Sequence, residues 1–339
     1  MTGTLLDHYD ALLLDLDGTV FRGSEPIPGA AHAIEAARSR GVAVRFTTNN
    51  ASRSPEQVAE HLRELGFPAT ADEVRTSAQA GAAVLADRLP AGSPVLVVGT
   101  DALRTEVTQA GLRVVTAAAD QPTAVVQGHS PHTGWAQLAE ACLAIRAGVI
   151  WVACNTDPTL PTERGQLPGN GAMVAALRTA TGREPLVAGK PAPPLFHQAA
   201  RSADAARPLV VGDRLDTDIA GARNAGLDAL LVLTGVTTAA DVLAAPAEHR
   251  PHYVAADLSA VEHPCDELRV TEQPGWKVGL DDGTLVLAAT GGSGDPVAAL
   301  RALCATWWAE GTGAVEVRAE DDAARAALAV LGLEPRTVG

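Results

Sequence analysis

The chain has 339 residues, 47% of them hydrophobic and 19% charged, with a net charge of −14. That length exceeds one ordinary core, so two or three domains of a soluble α/β protein are expected. The acidic balance offers no basic field to steer the chain to nucleic acid or an anionic membrane, and neither is expected as a partner.

Cys142, Cys154, Cys265 and Cys304 form no C-x-x-C pair, so free thiols in a reducing compartment are expected. Met1-Thr2-Gly3-Thr4 brings neither a basic n-region nor an apolar h-region, and no apolar run reaches ~18 residues. A cytoplasmic setting is expected.

In chain order, Ala11-Leu12-Leu13-Leu14 runs straight into Asp15-Leu16-Asp17-Gly18-Thr19-Val20. The apolar run predicts a strand buried on both faces. Buried carboxylates are costly unless paired or bound to a cation, which places the two aspartates at the strand's carboxyl end, where open α/β sheets hold ligands. A polar strand exit into a turn fits the same pentapeptide. Phe21 to Gly29 is rich in Pro and Gly and reads as a loop. Ala30 to Arg40 predicts a helix stopped at Gly41, and Val42 to Thr48 a second strand, making a βαβ unit that ends in Thr48-Asn49-Asn50. Ser54-Pro55-Glu56-Gln57 opens the next helix with serine as N-cap, proline at N1 and glutamine at N3.

From about Gly81 to Glu184 the pattern restarts. Strands are predicted at Val95–Val98, Ala124–Gln127 and Val149–Ala153, the last two ending in Gly128-His129-Ser130-Pro131-His132 and Asn155-Thr156-Asp157-Pro158. Helices are predicted after Gly99-Thr100-Asp101, over Gly134 to Arg146 and from Gly169-Asn170-Gly171 to Thr181. With at least three strands and three helices, 81–185 reads as a domain inserted into the first, which then comprises 1–80 and 186–262. That first domain resumes at Gly189-Lys190-Pro191. A strand at Leu209–Val211 leads into Gly212-Asp213-Arg214-Leu215-Asp216-Thr217-Asp218, a helix Ile219 to Asn224 stops at Gly226, and Ala229 to Leu233 is a further strand. Lys190 and Lys277 are the two lysines of a chain that otherwise uses arginine. A compact ammonium at Lys190 suggests a site too small for the planar guanidinium fork.

Residues 265–339 read as a separate α+β module. Asp282-Gly283 is a hairpin dipeptide, Gly291-Gly292-Ser293-Gly294 a loop, Asp295-Pro296 the start of a helix through Glu310, Ala314 to Val317 a strand, and Asp321 to Leu331 a helix ended by Gly332.

Asp15-Leu16-Asp17-Gly18-Thr19, Thr48-Asn49-Asn50, Gly189-Lys190-Pro191 and Gly212-Asp213 to Asp218 resemble, in order, the four motifs of the haloacid-dehalogenase-type (HAD) phosphatases. The resemblance covers about 8–260, and 81–185 resembles the large α/β cap of the nitrophenylphosphatase, phosphoglycolate phosphatase and glycerol-3-phosphate phosphatase branch. It implies a Rossmann-like parallel-sheet core with an inserted cap. It further implies Mg²⁺-dependent hydrolysis of a small phosphomonoester, glycerol 3-phosphate first and 2-phosphoglycolate next. Asp15 would be the nucleophile, Asp17 the acid and then the base, and Lys190 the cover for phosphoryl charge. Thr48, Asn49 and Asn50 would bind phosphate. Mg²⁺ would be held by the Asp15 and Asp213 side chains and the Asp17 carbonyl, with Asp218 behind these ligands. The cap is expected to read the leaving group through strand-exit residues, with His129, His132, Asn155, Asp157 and Asn170 as candidates. Asp216 lies in the same turn as a solvent-facing alternative. The ββαβα order of the C-terminal module is similar to part of the GCN5-related acetyltransferase fold, but it lacks that family's R/Q-x-x-G-x-G/A turn. Competing readings are a haloacid dehalogenase, which needs neither Asp17 nor Asp213, a phosphomutase, and a degenerate core that binds a partner through the C-terminal module. A homo-oligomer is compatible with this reading.

Overall fold

The computed structural model describes residues 3–162, 164–291 and 294–333. Gly292 and Ser293 of the expected glycine-rich turn lie outside the described residues. The chain divides into two compact units, Met1–Val44 with Ala203–Gly339, and Arg45–Ser202.

In the first unit, the parallel strands Tyr253–Ala255, Asp228–Val232, Pro208–Gly212 and Ala11–Leu14 lie side by side in that order. The strand Ala43–Thr48 starts in this unit, where the Ala43 N–H donates to the Asp10 carbonyl at 3.0 Å, and leaves it at Arg45. Ala11 to Leu14 are all 0% exposed. Burying three leucines contributes on the order of 5–9 kcal/mol before entropy is counted, enough to support an acidic strand exit. Leu14 pairs with Val211, and the Asp15 N–H donates to the Val211 carbonyl at 2.8 Å. Parallel strands in this register end level with each other, so Asp15 and Asp213 leave the sheet at the same edge.

The first unit also holds the C-terminal residues. Trp276–Asp281 and Thr284–Ala289 form an antiparallel hairpin through Asp282 (φ +46°) and Gly283 (φ +82°), the turn expected of an Asp-Gly pair. The third strand, expected at 314–317, runs from Glu316 to Ala319 and pairs parallel with Thr284–Leu287. The helix Pro296–Glu310 is capped by Asp295, which accepts from the Val297 and Ala298 N–H groups at 3.0 and 3.1 Å. This helix docks on 239–255. The buried Arg301 donates to the Val254 carbonyl at 2.7 Å and pairs with Asp295 at 3.1 Å. The Trp308 indole donates to the Leu243 carbonyl at 3.2 Å, and Arg250 lies 5.2 Å over the Trp308 ring.

The second unit is built on a five-stranded parallel sheet in the order Leu186–Val187, Ile150–Ala153, Ala124–Gln127, Pro94–Val98, Arg113–Val115. Alternation along each strand sorts the two faces. Val95, Val97, Val126 and Val152 pack with Ala78 and Leu85 of the helix Ser77–Ala86. Leu96, Val98, Val125 and Trp151 pack with Ala141, Ile145, Val174 and Leu177 of the helices Trp135–Arg146 and Asn170–Thr181. The two strands beyond the expected three are edge pieces of three and two residues, too short for a period-two pattern to show. A hairpin of Thr159–Thr162 and Gly165–Pro168 projects from the sheet's exit loops, and Ala43–Thr48 pairs here with Val74–Thr76.

Candidate active site

The first unit gathers three carboxylates. One oxygen from each of Asp15, Asp213 and Asp218 lies within 4.8 Å of the others, with Asp213 and Asp218 both buried. Asp15 comes from the exit of Ala11–Leu14 and Asp213 from the exit of Pro208–Gly212. Asp218 is brought back by a π-helical turn, Leu215–Ile219, that runs into the helix Ala220–Asn224. Two backbone amides hold the set: Val236 N–H donates to Asp213 Oδ2 at 2.9 Å, and Arg214 N–H to Asp218 Oδ2 at 3.2 Å.

Glycines make the space. Gly18 has φ +91°, and a Cβ there would meet Asp213 Cγ and Oδ2 at 2.6 Å. A Cβ at Gly235 would meet Asp213, and one at Gly212 would meet Asp218, closer still. The Thr234 hydroxyl donates to the Gly18 carbonyl at 2.6 Å, and Arg22 donates to the Thr234 carbonyl. Thr234, Gly235 and Val236 were not read from the sequence as site residues; the signal was a glycine just past the strand Asp228–Val232. The all-oxygen donor set suits a hard divalent cation such as Mg²⁺.

Asp17 is exposed and stands apart from this cluster; its Oδ1 accepts from the Gly23 N–H at 3.3 Å. The loop expected at 21–29 contains a small hairpin, Phe21–Arg22 with Glu25–Pro26, that presents this amide. Asp216 turns away into an ion pair with Arg214 at 2.9 Å, the solvent-facing alternative.

The second unit gathers Thr48, Asn49, Asn155, Asp157, Asn170 and Lys190. Asn49 is the hub. Its Oδ1 accepts from the Lys190 N–H at 2.8 Å, and its Nδ2 donates to the Lys190 carbonyl at 3.0 Å and to Asp157 at 3.3 Å. The Asn49 carbonyl accepts from the Ser77 hydroxyl at 2.6 Å and from Asn155 Nδ2 at 2.7 Å. Asn170 Nδ2 in turn donates to the Asn155 carbonyl at 2.7 Å. Lys190 is 3% exposed; its ammonium donates to the Thr47 carbonyl at 3.4 Å and lies 6.0 Å over the Phe196 ring. Thr48 Oγ1 accepts from the Asn50 N–H at 3.1 Å, and Asn50 Oδ1 accepts from the Ser52 N–H at 2.7 Å, so both shape the turn at this strand exit. Of the two histidine candidates, His129 is half-buried and burial lowers its pKa, while His132 is exposed. All four cysteines are free, and burial pushes the Cys154 thiol up to about 12.

Carboxylates converging at the carboxyl edge of a parallel sheet are an arrangement that can hold a divalent cation for metal-assisted hydrolysis. Residues 12–113 match the haloacid dehalogenase-like hydrolase family, 187–261 a HAD-hydrolase-like family, and 273–333 a GCN5-related N-acetyltransferase-like domain. The D-glycerol 3-phosphate phosphatase of Mycobacterium tuberculosis is 50% identical over 337 residues, which is 96% of this chain and 94% of that protein. A 5′-nucleotidase of Bacillus subtilis is 40% identical over 231 residues, 68% of this chain and 89% of that protein. The crystal structure of a Mycobacterium tuberculosis glycerol phosphate phosphatase in complex with magnesium has a TM-score of 0.93 at 50% identity, covering 98% of this chain and 100% of that one. The chain belongs to the haloacid dehalogenase-like hydrolases, with an acetyltransferase-like region at its C-terminus.

Proposed function

We propose that the protein hydrolyses a small phosphomonoester, glycerol 3-phosphate before 2-phosphoglycolate, and that Asp15, Asp213 and Asp218 hold Mg²⁺ together with the Asp17 carbonyl. The observation that carries this is the buried three-carboxylate cluster in its glycine cradle, in a chain 50% identical to a D-glycerol 3-phosphate phosphatase. The cation supplies positive charge against the phosphoryl oxygens and lets carboxylates stand this close.

Asp15 Oδ attacks phosphorus and the alkoxide leaves, giving an aspartyl-phosphate. Asp17 gives its proton to that leaving oxygen, then takes one from the water that releases phosphate. An exposed carboxylate held by a single amide bond, as Asp17 is, can exchange its proton with solvent between turnovers. The role assigned to Lys190 is to neutralise phosphoryl charge and that of Thr48 to bind a phosphoryl oxygen. Asn49 is a positioning residue for Lys190, whose backbone it holds at both N–H and C=O. His129, Asn155 and Asp157 belong to the cap assigned to 81–185 and are proposed to recognise the leaving group or support the loops that do.

The absence of nucleic-acid or membrane partners rests on the charge of −14, and a cytoplasmic setting on the four free cysteines. No helix among the described residues is long and apolar enough to cross a membrane. Phosphate release from both enantiomers of glycerol 3-phosphate and from 2-phosphoglycolate, before and after EDTA, tests the proposal. Loss on chelation and recovery with Mg²⁺ are expected. Full turnover in metal-free buffer rejects the mechanism.

A further inference from the structure

The second unit contains a cavity of about 510 Å³ whose walls come from distant stretches of chain. They are the helices Pro55–Glu64, Asp101–Gln109 and Pro194–Ser202, and the strand Val74–Thr76. Such a volume suits a small metabolite. None of the residues named above as the candidate active site lines it.

Glu106 is the anomaly in its wall. It is 8% exposed, on the same side of its helix as the buried Leu103 and Val107. Among the described residues its carboxylate makes no hydrogen bond or ion pair. An apolar side chain would serve folding stability better there, because desolvation of the carboxylate is not offset by a donor. Burial and the Glu56 carboxylate push the Glu106 pKa up to about 7, with Arg75 pulling it down. Asp72 adds a third carboxylate to the lining, and the repulsion between Glu56 and Glu106 leaves a place for a cation. Arg75 and Arg201 also line the cavity, the Arg75 guanidinium donating to the Asp72 and Val74 carbonyls at 3.0 and 2.6 Å. Gln198, also in the wall, has a buried Oε1 with no partner among the described residues, a further acceptor lacking a donor.

We propose that this cavity is a second small-molecule site for an amino-acid-like zwitterion, its ammonium bound by Glu106 and Glu56 and its carboxylate by Arg201 and Arg75. The mixed charge of the lining favours a zwitterion over a polyamine, which the two arginines would repel, and over a dianion, which the carboxylates would repel. A bound ligand ties the Asp101–Gln109 helix to the helices Pro55–Glu64 and Pro194–Ser202, so occupancy adds to the stability of this unit.

The test uses the full chain at pH 8. The standard amino acids, putrescine and spermidine are screened by thermal shift, and every hit is titrated by calorimetry. At least one amino acid is expected to raise Tm with rising concentration, and its decarboxylated amine to bind at least ~10-fold more weakly. Glu106→Gln keeps the side chain's shape and is expected to weaken binding by ~10-fold or more, with kcat for phosphate release in ligand-free buffer unchanged. Arg201→Gln, on an exposed position, is expected to weaken amino-acid binding while leaving the amine unaffected. The proposal is overturned if no amino acid binds, if Glu106→Gln binds as tightly as the parent, or if a polyamine binds more tightly than every amino acid.

Discussion

Gly18 joins backbone strain and site geometry in one residue, and Gly18→Ala separates a shaped metal cradle from a loose acidic patch. The backbone there sits at φ +91°, where an L side chain adds roughly 1–2 kcal/mol of strain. The new Cβ would lie 2.6 Å from Asp213 Cγ and Oδ2, against 3.4 Å for ordinary contact, so Asp213 must retreat by about 0.8 Å. The carboxylate has little room to do so, because Gly235 closes on its other side and the Val236 amide fixes its Oδ2. Displacements near 1 Å in a catalytic constellation cost on the order of 10²-fold in rate. The expected result is a kcat at least ~10²-fold lower, a higher Mg²⁺ concentration for half-maximal rate, and a modest drop in Tm. Gly235→Ala is the matched variant: its backbone is not in the left-handed region, so whatever it loses comes from space around Asp213 alone. Phosphate release against Mg²⁺ concentration, with thermal unfolding of each variant, makes the measurement. A Gly18→Ala protein with parental turnover and parental Mg²⁺ dependence refutes the cradle.

Asp17→Asn keeps the bond from the Gly23 amide but removes the proton, so kcat for an alkyl phosphate is expected to fall by ~10²-fold or more, and less for 4-nitrophenyl phosphate, whose leaving group needs no proton; near-parental turnover of the alkyl ester removes Asp17 from the mechanism. Asn49→Ala deletes both bonds to the Lys190 backbone and is expected to cost about 2 kcal/mol in urea unfolding together with a lower kcat; unchanged stability and rate would return Asn49 to an ordinary turn. For Glu106, the folded-state pKa is raised from the ordinary 4.5 to about 7, so the native chain holds the proton longer than the unfolded one as pH rises. Its destabilisation is absent below pH 4.5, grows up to pH 7 and is complete above it. Glu106→Gln is therefore expected to gain on the order of 1 kcal/mol over the parent at pH 8 and nothing at pH 4; an equal difference at both pH values contradicts the assignment.

Much of the site was legible because its signals are local. Four apolar residues before Asp15-Leu16-Asp17 can hardly be other than a buried strand ending in carboxylates, and a serine–proline–glutamine start marks a helix wherever it lies. Ser54 and Asp295 cap the helices expected of them, and Asp321, expected as the first residue of its helix, is instead the cap, its side chain accepting from the Ala324 N–H. What depended on pairing was not legible. Whether Asp15 and Asp213 end level is set by the register of Leu14 on Val211, a contact between residues far apart in the chain. The same holds for Gly235, whose missing Cβ matters only because Asp213 lies against it, and for Asn49, expected at the phosphate but engaged with the backbone of Lys190. The edge strands Arg113–Val115 and Leu186–Val187 carry too few residues for periodicity and exist because a neighbouring strand offers hydrogen bonds. Glu106 reads in sequence as one more helix glutamate among charged neighbours; only packing decides that it is buried in a cavity wall, because burial depends on what else the chain brings there. Local propensity and the chemistry of residue types were thus written in the sequence itself, whereas every distance between side chains remote in the chain was decided by tertiary structure.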